Sequence, residues 1–183
     1  MSRVLALVAL MVSLVSCGGD ISFPPPPQRT HAAHSVTHPV AAMLGMANGQ
    51  ADMPWASIVQ GVEPPAPGVD WRWAHAHPAF EFNLMDYDGW KAIVRLTCVG
   101  KVLEVTGPQH VIMSVNGSVV GKITLDKAGN YDVTFPVDAA VLKSAAPIVL
   151  RLDIDPCLLS DSPSEKGAAY CVLVRSAGFL RGS

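Results

Sequence analysis

The segment Val111–Leu125 reads VIMSVNGSVVGKITL and decides the fold class. Asn116-Gly117 lies between two runs rich in β-branched residues, and this pair favours a type I′ turn because both central positions of that turn need positive φ. Apolar residues occupy every second position of the first arm, at Val111, Met113 and Val115. The segment therefore predicts a β-hairpin with one buried face.

Similar patterns continue on both sides of this hairpin. Further strands are predicted over 80–84, 92–98, 131–135, 148–154 and 170–179. Only DAAVLK, residues 138–143, has helical character, with Asp138 as its N-cap. The turn-rich stretch 59–78 is expected to be an irregular lead-in or edge segment. Together these patterns predict an all-β, antiparallel β-sandwich with one short helix, because a doubly wound sheet would need helices between its strands.

The N-terminus carries an export signal. The apolar run from Val4 to Val15 is 12 residues long, too short for a bilayer core of about 30 Å but the right length for a signal peptide. Leu14-Val15-Ser16-Cys17 resembles the bacterial lipobox, in which the cysteine becomes lipidated after cleavage. The resemblance implies a membrane anchor at Cys17. Asp20 is not directly after this cysteine, which by the same resemblance implies the outer membrane; the alternative is an ordinary secretory signal.

The chain is therefore divided into a signal peptide (1–16), a lipidated tether (17–54) and a β-sandwich domain (55–183). The run Pro24–Pro27 favours extended polyproline II, as expected of a spacer. Three histidines of the tether, at positions 31, 34 and 38, have helical spacing. No carboxylate or cysteine accompanies them, so a linker is the preferred interpretation.

Charge and motifs exclude several functions. The chain has 13 basic and 15 acidic residues, which gives no electrostatic reason to expect nucleic acid binding. No serine-hydrolase, zinc-protease, P-loop or dinucleotide-binding motif occurs, so no catalytic residue, metal or cofactor is predicted. A hydrolase, or calcium binding in the case of the acidic residues, would have to use the pairs Asp86/Asp88, Asp153/Asp155 or His75/His77.

Three cysteines remain beside Cys17. Cys157 and Cys171 enclose a polar stretch, and a disulfide between them would close a loop of about 15 residues. Cys98 alternates with apolar residues and is expected to be buried, although its pairing with either of the other two is the alternative.

Aromatic residues are the best candidates for binding. In a β conformation Trp71 and Trp73 point to the same side, where flat rings could hold carbohydrate. Tyr87 and Trp90 flank a predicted turn and could extend that surface. The alternative is that the indoles of Trp71 and Trp73 cap the sandwich core.

The order of these segments resembles a known family. GVEPPAPGVDWRWAHAHPAFEFNL is followed by GPQHVIMSVNGSVVGKITLDKAGNYDVTFPVDAAVLK, then IVLRLDIDP and VLVRSAGF. This arrangement is similar to the galactose-binding-like jelly-roll domains of bacterial carbohydrate-binding proteins. The resemblance implies a non-catalytic, lipid-anchored envelope protein that binds carbohydrate or surface polysaccharide. The alternative is a structural or assembly lipoprotein that docks on another envelope protein.

Overall fold

The computed structural model of the protein describes residues 41–47, 52–161 and 167–181, all within one unit, His38–Ser183. Two helices occur in these ranges, α1 (Gly100–Thr106) and α2 (Ala139–Lys143). The strands are β1 (Ala41–Gly45), β2 (Asp52–Met53), β3 (Ala56–Val62), β4 (Arg72–Phe82), β5 (Trp90–Cys98), β6 (Gln109–Val115), β7 (Ser118–Leu125), β8 (Gly129–Pro136), β9 (Ile148–Asp155), β10 (Leu158–Leu159), β11 (Ala169–Tyr170) and β12 (Val172–Arg181).

The strands form two faces of an antiparallel sandwich. One face has the order β8-β5-β12, with β1 pairing along the other edge of β12. The second face has the order β7-β6-β9-β4, followed by β3 and the short β2. The predicted all-β antiparallel sandwich is confirmed.

Strand β4 belongs to both faces. Its first residues, Arg72–Ala74, pair with β12, whereas its last residues, Ala79–Phe82, pair with β9. Its other edge pairs with β3, whose register shifts twice along the way. The eleven residues of β4 therefore connect the two faces of the sandwich.

The hairpin predicted from the sequence joins β6 and β7. Asn116 and Gly117 have φ values of 48° and 79°, as a type I′ turn requires. The Asn116 side chain also donates to the carbonyl oxygen of Val141 and accepts from the amide of Val149, both at 2.8 Å. These bonds fix the hairpin tip to α2 and β9.

The core lies between the two faces, and the alternating residues of the predicted strands fill it. Phe82 of β4 packs edge-on against Phe179 of β12, with ring centroids 5.2 Å apart. The predicted inward-facing residues are all buried: Phe80, Phe82, Ala92, Val94, Leu96, Cys98, Val111, Met113, Val115, Ile148, Leu150, Leu152 and Ile154. The two outer strands β7 and β8 approach each other closely, because Gly121 leaves room for the ring of Phe135.

The structure corrects three expectations. Residues 41–47 and 52–54 were predicted to be tether, but the first range contains β1 and the second contains β2, so the sheet begins before residue 55. Burial explains the first case, because Ala42, Leu44 and Met46 alternate into the core. Part of the expected lead-in, 59–78, lies in β3 and β4 rather than in irregular structure.

Helix α1 was not predicted from the sequence. It contains β-branched residues, and no side chain caps its first turn, so the usual signals of a helix are missing. Helix α2 agrees with the prediction, because the Asp138 carboxylate accepts from the amide of Ala140 at 2.7 Å.

The predicted disulfide between Cys157 and Cys171 is confirmed. Cys98 is free and buried, and burial raises the pKa of its thiol. Next to it lies Gln109, a polar residue with no exposed surface. Its amide nitrogen donates to the carbonyl oxygens of Pro156 at 3.0 Å and Cys171 at 2.9 Å. Gln109 therefore connects the two ends of the disulfide loop to β6.

Candidate functional site

The first half of β4 presents a row of ring side chains on its outer side. Trp71 precedes the strand, and Trp73, His75 and His77 follow at every second position, while Arg72 and Ala74 are buried. A strand has this period because successive side chains point to opposite faces. The backbone of Glu63 holds the edge here, donating to the carbonyl oxygen of Trp73 at 2.9 Å.

Three aromatic rings meet at the start of this row. Trp71 and Trp73 pack edge to face, with centroids 6.5 Å apart and planes at 81°. Tyr170 of β11 lies on the other side of Trp73, at 5.4 Å between centroids. All three side chains are half-buried, so parts of their surfaces remain open to solvent.

These rings line a depression of about 560 Å³, which we call the aromatic groove. Its other walls come from the segment after β3, the start of α1 and strand β10; they include Glu63, Lys101 and Leu158. Apolar rings with a few polar groups at the margin are typical of small-molecule and carbohydrate sites. The predicted pair Trp71 and Trp73 thus lines one groove.

A second depression, of about 500 Å³, follows farther along β4; we call it the histidine depression. Its lining includes Gln60, His75 and His77, and it shares Glu63 with the aromatic groove. The ring of His75 also contacts Tyr170, at 5.7 Å between centroids. The two depressions are therefore neighbours along one strand.

His75 connects the two sides of this junction. Its Nδ1 donates to the carbonyl oxygen of Ala169 at 2.8 Å, and its Nε2 lies 2.8 Å from a carboxylate oxygen of Glu63. Because a neutral imidazole can donate from only one nitrogen, both bonds form together only when the ring is protonated. The pair His75–Glu63 thus holds the segment after β3 and strand β11 at a fixed distance.

His77 contacts Asp153 of β9, with Nδ1 2.7 Å from the carboxylate. Arg151 donates to the same carboxylate oxygen at 2.7 and 3.0 Å. Burial alone would raise the pKa of Asp153, but the hydrogen bonds and charges of Arg151 and His77 outweigh it and lower that pKa. Asp153 is therefore held as a carboxylate by its neighbours.

The other two aromatic candidates are not at this site. Trp90 is 1% exposed and belongs to the core, so its prediction as part of a binding surface was wrong. Its indole nitrogen donates to Asp86, and the guanidinium of Arg181 lies 4.8 Å from its ring centroid. A large apolar ring is buried here because its one donor has a partner. Tyr87 packs against the same core, outside both depressions.

The acidic pairs proposed for hydrolysis or calcium binding are not assembled as sites. Asp86 is engaged by Trp90 and Arg181, whereas Asp88 is exposed. Asp155 is exposed at the end of β9, beyond Asp153. Within 41–47, 52–161 and 167–181, no three His, Cys, Asp or Glu side chains group as metal ligands. In the same ranges no helix has the length and apolar character needed to span a bilayer.

Sequence reasoning missed three residues of the groove: Glu63, Lys101 and Tyr170. Tyr170 is next to Cys171, so the predicted disulfide was a signal that its segment is fixed in place. Glu63 and Lys101 lie in the chain between strands, and their position depends on pairing that the sequence does not reveal. Cys17 and the histidines of the predicted tether lie outside the described residues.

Comparisons with known proteins give one structural likeness. No protein-family model matches the chain, and no curated protein is significantly similar in sequence. The fold is similar to the solved structure of a family 35 carbohydrate-binding module from Clostridium thermocellum, with 12% identity and a TM-score of 0.40. The match covers 78% of this chain and 100% of the module. At these values the likeness carries no argument about what the groove binds.

Proposed function

We propose that this protein is a lipid-anchored protein of the bacterial cell envelope whose β-sandwich binds carbohydrate without catalysing a reaction. The observation that carries the proposal is the aromatic groove, where Trp71, Trp73 and Tyr170 meet. Flat aromatic faces pack against the C–H groups of sugar rings, and polar side chains at the margin fix their orientation. Glu63 and Lys101 supply such polar groups.

The anchor is proposed from the sequence. The lipobox-like residues before Cys17 predict cleavage and lipidation there. Each buried methylene contributes about 0.8 kcal/mol, so two or three acyl chains anchor a protein stably. The location proposed is the outer membrane, with the sandwich facing the periplasm or the cell surface.

Carbohydrate binding is tested by titrating the full chain, purified in detergent micelles, against a panel of envelope and plant polysaccharides. Trp71→Ala and Trp73→Ala should each weaken binding at least tenfold, equivalent to about 1.4 kcal/mol, because buried aromatic anchors dominate binding energies. Met85→Ala is the matched control, since Met85 is 89% exposed and lies outside the groove. Equal affinities for all four proteins would contradict the proposed site.

The anchor is tested separately by growing bacteria that express the full chain with labelled palmitate. We expect label on the protein and none on Cys17→Ala, with Cys98→Ala as the control that keeps the label. Label on the Cys17 variant, or no label on any of them, would contradict lipidation at this residue.

A further inference from the structure

We propose that the aromatic groove and the histidine depression act as one elongated site for an internal stretch of an uncharged, linear polysaccharide. This inference rests on the proposed carbohydrate-binding function and specifies its ligand. It concerns the part of the molecule between Trp71 and His77, which the proposed function leaves half unused.

The first argument is length. The outward positions Trp71, Trp73, His75 and His77 span six residues of an extended chain, or about 20 Å at about 3.3 Å per residue. One sugar ring covers only a fraction of that distance, so several consecutive rings fit along it. A site for a single sugar or a chain end would need only the aromatic groove.

The second argument is continuity. The two depressions share Glu63, and Tyr170 contacts both Trp73 on one side and His75 on the other. Neither depression is a closed cavity, so a linear chain can pass from one to the other and leave at both ends.

The third argument is the change in chemistry along the strand. The first half offers stacking surfaces, and the second half offers hydrogen-bonding groups on Gln60, Glu63 and His77. His77 is well suited to this role because its side chain is 58% exposed and already oriented by Asp153. Rings stacked at one end and hydroxyl groups bonded at the other are what a polysaccharide of uniform sugars can satisfy together.

The charges favour an uncharged chain. Carboxylates occur in both halves, at Glu63 and Asp153, and the neighbouring Arg151 is engaged by Asp153. An anionic polysaccharide would meet these carboxylates, and like charges at close range disfavour binding.

The test is a length series measured by calorimetry on the full chain in micelles. Glucose-, mannose- and galacturonate-based β- or α-1,4-linked ladders of one to six units serve as probes, with poly-L-proline as a probe of a different class. For at least one neutral ladder, affinity should rise at least tenfold from two to four units and then level off. The acidic ladder should bind more weakly at every length.

Variants separate the inference from the proposed function. His77→Ala should reduce the gain from two to four units at least threefold, whereas His110→Ala, an exposed histidine of β6 outside both depressions, should keep it. Trp71→Ala should weaken binding at every length.

If Trp71→Ala abolishes binding but affinity is already maximal for one or two units, or if His77→Ala keeps the full gain, the elongated site is refuted and the aromatic groove stands. Binding of poly-L-proline with no response to any sugar ladder would overturn both.

Discussion

Replacing Gln109 tests how the disulfide loop is held in place. The side chain has no exposed surface, and its amide donates to Pro156 and Cys171 at 3.0 and 2.9 Å. Gln109→Leu keeps nearly the same volume but removes both donors. A buried carbonyl that loses its partner costs about 1–3 kcal/mol. Two such losses, offset in part by burial of a more apolar side chain, should lower the free energy of unfolding by about 2–4 kcal/mol.

The assay is urea unfolding of the full chain, followed by fluorescence of its tryptophans. Gln60→Leu is the matched control, because Gln60 makes the same kind of bond, to the carbonyl of His77 at 3.3 Å, but at an exposed position. We expect less than about 0.5 kcal/mol for the control. A loss below about 1 kcal/mol for Gln109→Leu, or equal losses for both variants, would refute the reasoning.

Three further perturbations have defined outcomes. Replacing Cys157 and Cys171 by Ser opens a loop with a sequence separation of 14 and should lower the free energy of unfolding in urea by about 3 kcal/mol; unchanged stability would speak against this loop as a constraint. The pKa of Asp153 is lowered in the folded protein, so the stability it adds is complete above about pH 4 and lost as the pH falls through the lowered pKa; Asp153→Asn should flatten that part of the stability curve, and parallel curves would exclude the effect. Gly121→Ala places a Cβ against a ring of β8 and should cost about 1–3 kcal/mol in thermal unfolding, whereas Gly100→Ala, whose added Cβ meets only ordinary contact, should cost nothing; equal melting temperatures would contradict the close approach.

Much of the sandwich could be predicted because its signals are local. Asn116-Gly117 defines a hairpin within four residues, and period-two alternation identifies a strand without any knowledge of its partner. The disulfide was predictable for the same reason, since Cys157 and Cys171 are close in the chain.

The missed strand β1 shows the limit of such signals. Its sequence, AAMLG, has alanine and glycine where strands usually have β-branched or aromatic residues. It is a strand because it pairs with β12, more than a hundred residues later in the chain. Pairing over that distance leaves no mark on the local sequence.

The candidate site was predictable only in part, for a similar reason. The alternation of Trp71 and Trp73 indicated a shared face, and the structure places both in one groove. The third ring, Tyr170, reaches Trp73 through contacts between β4 and β11 that no local pattern reveals. Trp90 was misplaced because a turn with two aspartates suggests exposure, whereas the indole is buried.

The strand that carries the candidate site is also the strand that connects the two faces of the sandwich. Ring side chains on β4 are thus attached to backbone that pairs with β3, β9 and β12, and cannot shift without breaking those ladders. A ligand then meets rings that are already arranged, and little binding energy is lost in ordering them. Occupancy should in turn raise the melting temperature of the whole domain, since a ligand that binds only the folded state stabilises it in proportion to the logarithm of its concentration. A thermal-shift screen of glycans can therefore identify the ligand before any chemistry is assumed.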